Sequence, residues 1–76
     1  MGRPLRELIK DVEKDPASWE LVKVQVDPSS NRSNKGGTSL QELLRHRTTG
    51  EELVRHTLIR PDGRLFAKPH FRRYWT

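Results

Sequence analysis

Leu5, Leu8, Ile9 and Val12 recur at i, i+3, i+4 and i+7, the spacing that lines one face of a helix. Pro4 suits the first turn, where its missing N–H is no loss. Arg6, Glu7, Lys10, Asp11, Glu13 and Lys14 fill the other faces with mixed charge, as on a solvated helix. Asp15-Pro16 ends the pattern, because a residue before proline avoids the α region. Trp19 to Val26 then reads as a strand, with Trp19 and Leu21 on one face and Val22, Val24 and Val26 on the other. Asp27-Pro28 closes it. Residues 27–37 hold no apolar side chain and predict a flexible polar loop whose Arg32 and Lys35 are free to graze a phosphate or simply to be solvated.

Ser39-Leu40-Gln41-Glu42 has the form of a capping box. With Leu40, Leu43 and Leu44 it predicts a short helix over 39–47, with His46 and Arg47 at its negative end and Gly50 as its stop. Glu52 to Arg60 alternates. Pro61-Asp62-Gly63 makes a three-residue hairpin loop, Arg64 to Lys68 returns, and Pro69 marks an edge or an end. His70 to Thr76 extends the strand or forms a terminal turn. The expected fold is therefore α+β: a small, three-stranded, mainly antiparallel sheet with one or two short helices, in the order helix-strand-helix-strand-strand. It forms a single small domain over 1–76.

Composition narrows the chemistry. The chain has 76 residues, of which 32% are hydrophobic and 33% charged, and no cysteine. Its core must be thin. Disulfides and cysteine-based zinc sites are excluded. No apolar run approaches the roughly 20 residues of a membrane helix, and none reads as a secretory signal, so no membrane partner and a cytoplasmic location are expected. The net charge is +5, and it is unevenly placed: seven basic against six acidic residues up to Gly37, eight against four beyond it. After Asp62 there is no acid, while Arg64, Lys68, Arg72 and Arg73 follow among Phe66, Phe71, Tyr74 and Trp75. Basic residues interleaved with aromatics suit nucleic acid.

The hairpin places this charge. A three-residue loop sets Arg60 opposite Arg64, Leu58 opposite Phe66, His56 opposite Lys68, and Val54 opposite His70. Side chains alternate faces, so His56, Lys68 and His70 cluster on one face. Two imidazoles and an ammonium supply what metal-independent RNA cleavage needs: a base, an acid and a cation for the phosphorane. The same group also serves as a plain half-exposed polar sheet edge. Arg55, Arg64, Arg72 and Arg73 are candidate phosphate contacts, joined by Arg32 and Lys35 of the loop. Phe71 reads as packing. Tyr74 and Trp75 stay open between packing, base stacking and a protein hot spot. Two His without a carboxylate nearby are poor metal ligands, so no metal and no cofactor are expected. No serine or cysteine nucleophile has support.

Two function classes follow. The first is a nucleic-acid-directed ribonuclease toxin with His56, His70 and Lys68 as catalytic residues. The second is a non-catalytic phage- or plasmid-type binding module that docks on nucleic acid or on a host protein and needs no histidines.

Leu8 to Lys14 and then Trp19 to Lys23 resemble the opening helix and strand of HicA-type mRNA interferase toxins. His56, Arg60-Pro61-Asp62-Gly63-Arg64 and Pro69-His70 resemble that family's second and third strands. The resemblance covers about half of the chain. It implies a double-stranded-RNA-binding-like fold, metal-free mRNA cleavage with His56 as the catalytic histidine, and silencing by a protein partner such as an acidic antitoxin or immunity protein.

Overall fold

The computed structural model describes residues 2–75. Helix α1 (Leu5–Lys14) is followed by a 3-10 turn at Pro16–Ser18 and strand β1 (Trp19–Pro28). A second 3-10 turn at Arg32–Asn34 leads to β2 (Thr38–His46), β3 (Glu52–Ile59) and the short β4 (His70–Arg72). The strands form one antiparallel meander in the order β1-β2-β3-β4. The α+β class holds, but the expected three strands and second helix do not. Among the described residues there are one α-helix and four strands.

Segment 39–47 is the largest correction. Residues 39–46 belong to a central strand, paired with β1 on one side and β3 on the other, and Arg47 opens the turn that follows. The capping box is a local preference for a helix too short to hold by itself. Two full ladders of backbone hydrogen bonds outweigh it. As a strand the segment also divides its side chains usefully. Leu40, Glu42 and Leu44 point to the helix face, and Ser39, Gln41, Leu43 and Arg45 to the opposite, outer face.

The change of phase in β1 has a specific cause. The register with β2 shifts between Leu21 and Lys23, so Val22 is the extra residue of a β-bulge. Trp19 and Leu21 therefore share the helix face with Val24 and Val26, rather than opposing them as simple alternation predicts. α1 covers only one end of that face. Leu8, Val12, Trp19, Leu44 and Leu53 form the buried cluster, with Leu5, Ile9 and Phe71 packed against it. Each such side chain contributes roughly 1.5–3 kcal/mol when fully buried.

Polar residues lock the covered end. Arg3 donates from its backbone N and Nε to the two Glu51 oxygens at 2.9 and 3.0 Å, and from Nη2 to Asp11 at 3.0 Å. This ties the chain before α1 to the β2–β3 turn. The Arg3 hydrogen bonds hold the Glu51 carboxyl down to about 2. His46 sits edge-on to Trp19, with ring centroids 5.2 Å apart. Its Nδ1 accepts from the Thr48 and Thr49 backbone N–H groups at 3.1 and 3.2 Å. The proton then lies on Nε2, which faces Asp11 at 3.5 Å. His46 is thus a turn anchor on a strand, not a residue at a helix terminus.

At the other end, the stretch between β1 and β2 is fastened by Asn34, which is buried and donates from Nδ2 to the Ile59 carbonyl at 3.1 Å. A Cβ on Gly37 would stand inside van der Waals contact of that same amide and carbonyl. The molecule is 39 Å long and about half as wide, 21 by 20 Å. α1 packs near one end, and the polar loops lie at the other.

Candidate functional site

His56 lies on β3 and His70 on β4, and they are direct partners in the ladder. Both point to the outer face. Directly opposed residues hold their Cβ atoms roughly 4.5–5.5 Å apart. The expected register made the two histidines diagonal neighbours, with Lys68 opposite His56. Near the turn that register is right: Arg60 N–H donates to the Arg64 carbonyl, Ile59 bridges Leu65, and Phe66 N–H donates to the Leu58 carbonyl. Beyond Phe66 the chain steps out for three residues where β3 uses one. Pro69 cannot donate to a ladder. His70 re-enters two positions late, and a slip of two keeps the side chain on the same face.

Lys68 is carried out of the ladder by this excursion. It lines a shallow hollow against α1 with Ile9, Glu13, Arg55 and Phe71, so the structure does not place it opposite His56. Arg72 takes the position beside the pair, opposite Val54 and on the histidine face. It donates to the Gln41 side-chain oxygen and, from Nε, to the Tyr74 carbonyl at 3.1 Å. Gln41 is itself the β2 partner of His56. Ser39 completes the group: its Oγ lies 2.6 Å from His56 Nε2. Neither Ser39 nor Gln41 was identifiable from sequence, because the helix expected at 39–47 removed both from the sheet. Burial lowers the His56 pKa from its ordinary value, and the Arg72 and His70 charges lower it further. His56 is therefore neutral at pH 7, with one ring nitrogen engaged by a hydroxyl.

The remaining candidates separate. Arg55 points to the helix face and is held by Glu42 at 2.9 Å. Arg73 donates from Nη2 to the Arg3 carbonyl at 2.7 Å. Arg32, Lys35, Arg60 and Arg64 are exposed and lie on the two loops that meet at the same end of the sheet, where Asn34 bonds the Ile59 carbonyl and Gly36 approaches Pro61. Tyr74 is 76% exposed. Lys23 Nζ lies 5.0 Å from the Trp75 ring centroid, so the tail leaves β4 at one edge and reaches across the outer face to β1 at the other. Val54, which lies between them on that face, is fully buried.

No helix among the described residues is long and apolar enough to cross a membrane. No family model, no curated protein and no solved structure matches the chain.

Proposed function

We propose that this is a nucleic-acid-directed protein and, most concretely, a metal-independent ribonuclease built on His56 and His70. The observation that carries the reading is the direct cross-strand opposition of the two imidazoles, with the Arg72 cation beside them. His56, kept neutral by burial and by its cationic neighbours, accepts the proton of a ribose 2′-hydroxyl. The 2′-oxygen attacks phosphorus, the bond to the 5′-oxygen breaks, and protonated His70 gives its proton to the leaving oxygen. Arg72 offsets charge on the non-bridging oxygens. Ser39 keeps the His56 ring in one orientation, and exposed Tyr74 offers a face to a flanking base. Arg32, Lys35, Arg60 and Arg64 extend the positive surface along the path of a strand.

The resemblance of the segments around His56 and His70 to HicA-type toxins supports the same reading. It implies a cytoplasmic site of action and an acidic protein partner that silences the toxin.

The test is cleavage of single-stranded RNA by the purified chain and by His56→Ala and His70→Ala, with far-UV circular dichroism as the control for folding. Expected products are a 2′,3′-cyclic phosphate and a 5′-hydroxyl. Both variants should be folded and inactive, and a 2′-deoxy substitution at the scissile position should block cleavage. RNA left whole by stoichiometric wild-type protein would refute the enzyme. Tight binding that weakens steeply with salt, without cleavage, would identify the non-catalytic module instead.

A further inference from the structure

β1 is an edge strand ten residues long, and its open side has no strand partner among the described residues. Leu21, Val24 and Val26 all lie on its helix face, beyond the cover of α1, and are 53%, 48% and 61% exposed. Leu40, across from Val26 on β2, is half-buried and continues the patch. An edge of this length with an apolar face is a template for another strand. We propose that two copies of the chain pair their β1 strands antiparallel about a two-fold axis at Gln25, joining two four-stranded sheets into one of eight.

The backbone phase permits this register. Ser29 N–H donates to the Gly37 carbonyl, so odd-numbered residues in this half of β1 turn their backbone groups toward β2. Val24 and Val26 turn theirs to the open edge. With the axis at Gln25, Val24 of each copy meets Val26 of the other, and both exchange N–H and C=O. The ends of the paired segment are marked symmetrically. Val22 is bulged on one side, Pro28 has no N–H on the other, and Gln25 is midway between them.

Charge selects the same axis. Lys23, Gln25 and Asp27 point to the outer face, where Gln25 Nε2 donates to Asp27 at 2.7 Å. Pairing about Gln25 sets Lys23 of each copy against Asp27 of the other. An axis at Val24 sets Lys23 against Gln25, and an axis at Lys23 opposes two lysines, which is unfavourable. On the helix face the Gln25 axis brings together four valines, two from each copy. The interface is isologous and therefore closes at a dimer.

Analytical ultracentrifugation of the full chain tests this through charge reversal. The wild type should sediment as a concentration-dependent dimer. Lys23→Asp and Asp27→Lys each place like charges opposite one another twice, and each should raise the dissociation constant about tenfold or more. An equimolar mixture of the two single variants should recover the dimer, as should the double variant, because both restore opposite charges at each pair. Recovery in the mixture also shows that the single variants are folded. Wild type that stays monomeric up to its solubility limit overturns the proposal. So do single variants that associate as the wild type does, or a mixture that stays monomeric while both variants retain the wild-type circular dichroism.

Discussion

Replacing Glu51 by Gln isolates the clamp that holds the chain before α1 onto the β2–β3 turn. The native carboxyl titrates near 2, against an ordinary value of 4.5. The unfolded chain therefore binds the proton first as pH falls, and the clamp loses its contribution between those two values. At 1.36 kcal/mol per pKa unit the full depression corresponds to about 3 kcal/mol. Part of this is screened by water, since the Arg3 side chain is 36% exposed. Gln also retains one acceptor, and Arg3 keeps Asp11. The net loss at neutral pH is about 1–2 kcal/mol. A chain of this length has a total stability on the order of 4–11 kcal/mol, so the effect is measurable: about 4–15 °C in Tm. The assay is urea or thermal unfolding of both proteins across a pH series from near neutral to below 3. The two curves should be separated at neutral pH and should converge as pH falls below about 4.5. A gap that persists undiminished at the acid end would show that Glu51 acts by packing rather than by charge. Equal stability throughout would show that the clamp contributes nothing.

Three other outcomes are expected. Arg72→Gln removes a cation beside His56, so the His56 titration followed by NMR should move upward toward its ordinary value, carrying with it the acid limb of any cleavage profile; an unmoved or lowered value contradicts the electrostatics of the site. Gly37→Ala drives a methyl group into the Asn34 amide and the Ile59 carbonyl and should cost about 1–3 kcal/mol, with hydrogen-exchange protection lost first at Asn34; full retention of stability would refute the anchoring role of that loop. Deleting Val22 removes the extra residue and makes Leu21 and Lys23 consecutive opposite Leu44 and Leu43, so Val24 and Val26 stay on the helix face, and the variant should fold with unchanged cross-strand NMR contacts between Val24 and Glu42; loss of that pairing would refute Val22 as the bulged residue.

The parts of the fold that were legible in sequence are those set by local periodicity and by turn chemistry. The Leu5–Val12 stripe became α1 almost residue for residue. Pro61-Asp62-Gly63 became the hairpin turn, and its register holds as far as Leu58 and Phe66. What could not be read was decided by neighbours distant in sequence. Ser39 and Glu42 carry a helix-start signal that is real over four residues and irrelevant once β1 and β3 flank them. Val22 is indistinguishable from its neighbours in composition, and only the β2 ladder makes it the bulged residue. Within the site, His56 and His70 emerged from a partly mistaken register. Lys68 was lost and Arg72 gained for the same reason, the excursion around Pro69. Ser39 and Gln41 stay out of reach because the local helix signal of their segment places them off the sheet.

The excursion between Phe66 and His70 uncouples the histidine pair from the hairpin turn. Residues 67–69 lie outside the ladder, so the pairing of His70 with His56 is set where β4 joins β3 and not by counting residues back from Gly63. One or two residues added beside Ala67 should therefore lengthen the loop and leave His56 and His70 opposed, followed as unchanged cross-strand NMR contacts between them. The stretch is a slack tether, and the site it serves should outlast changes in its length.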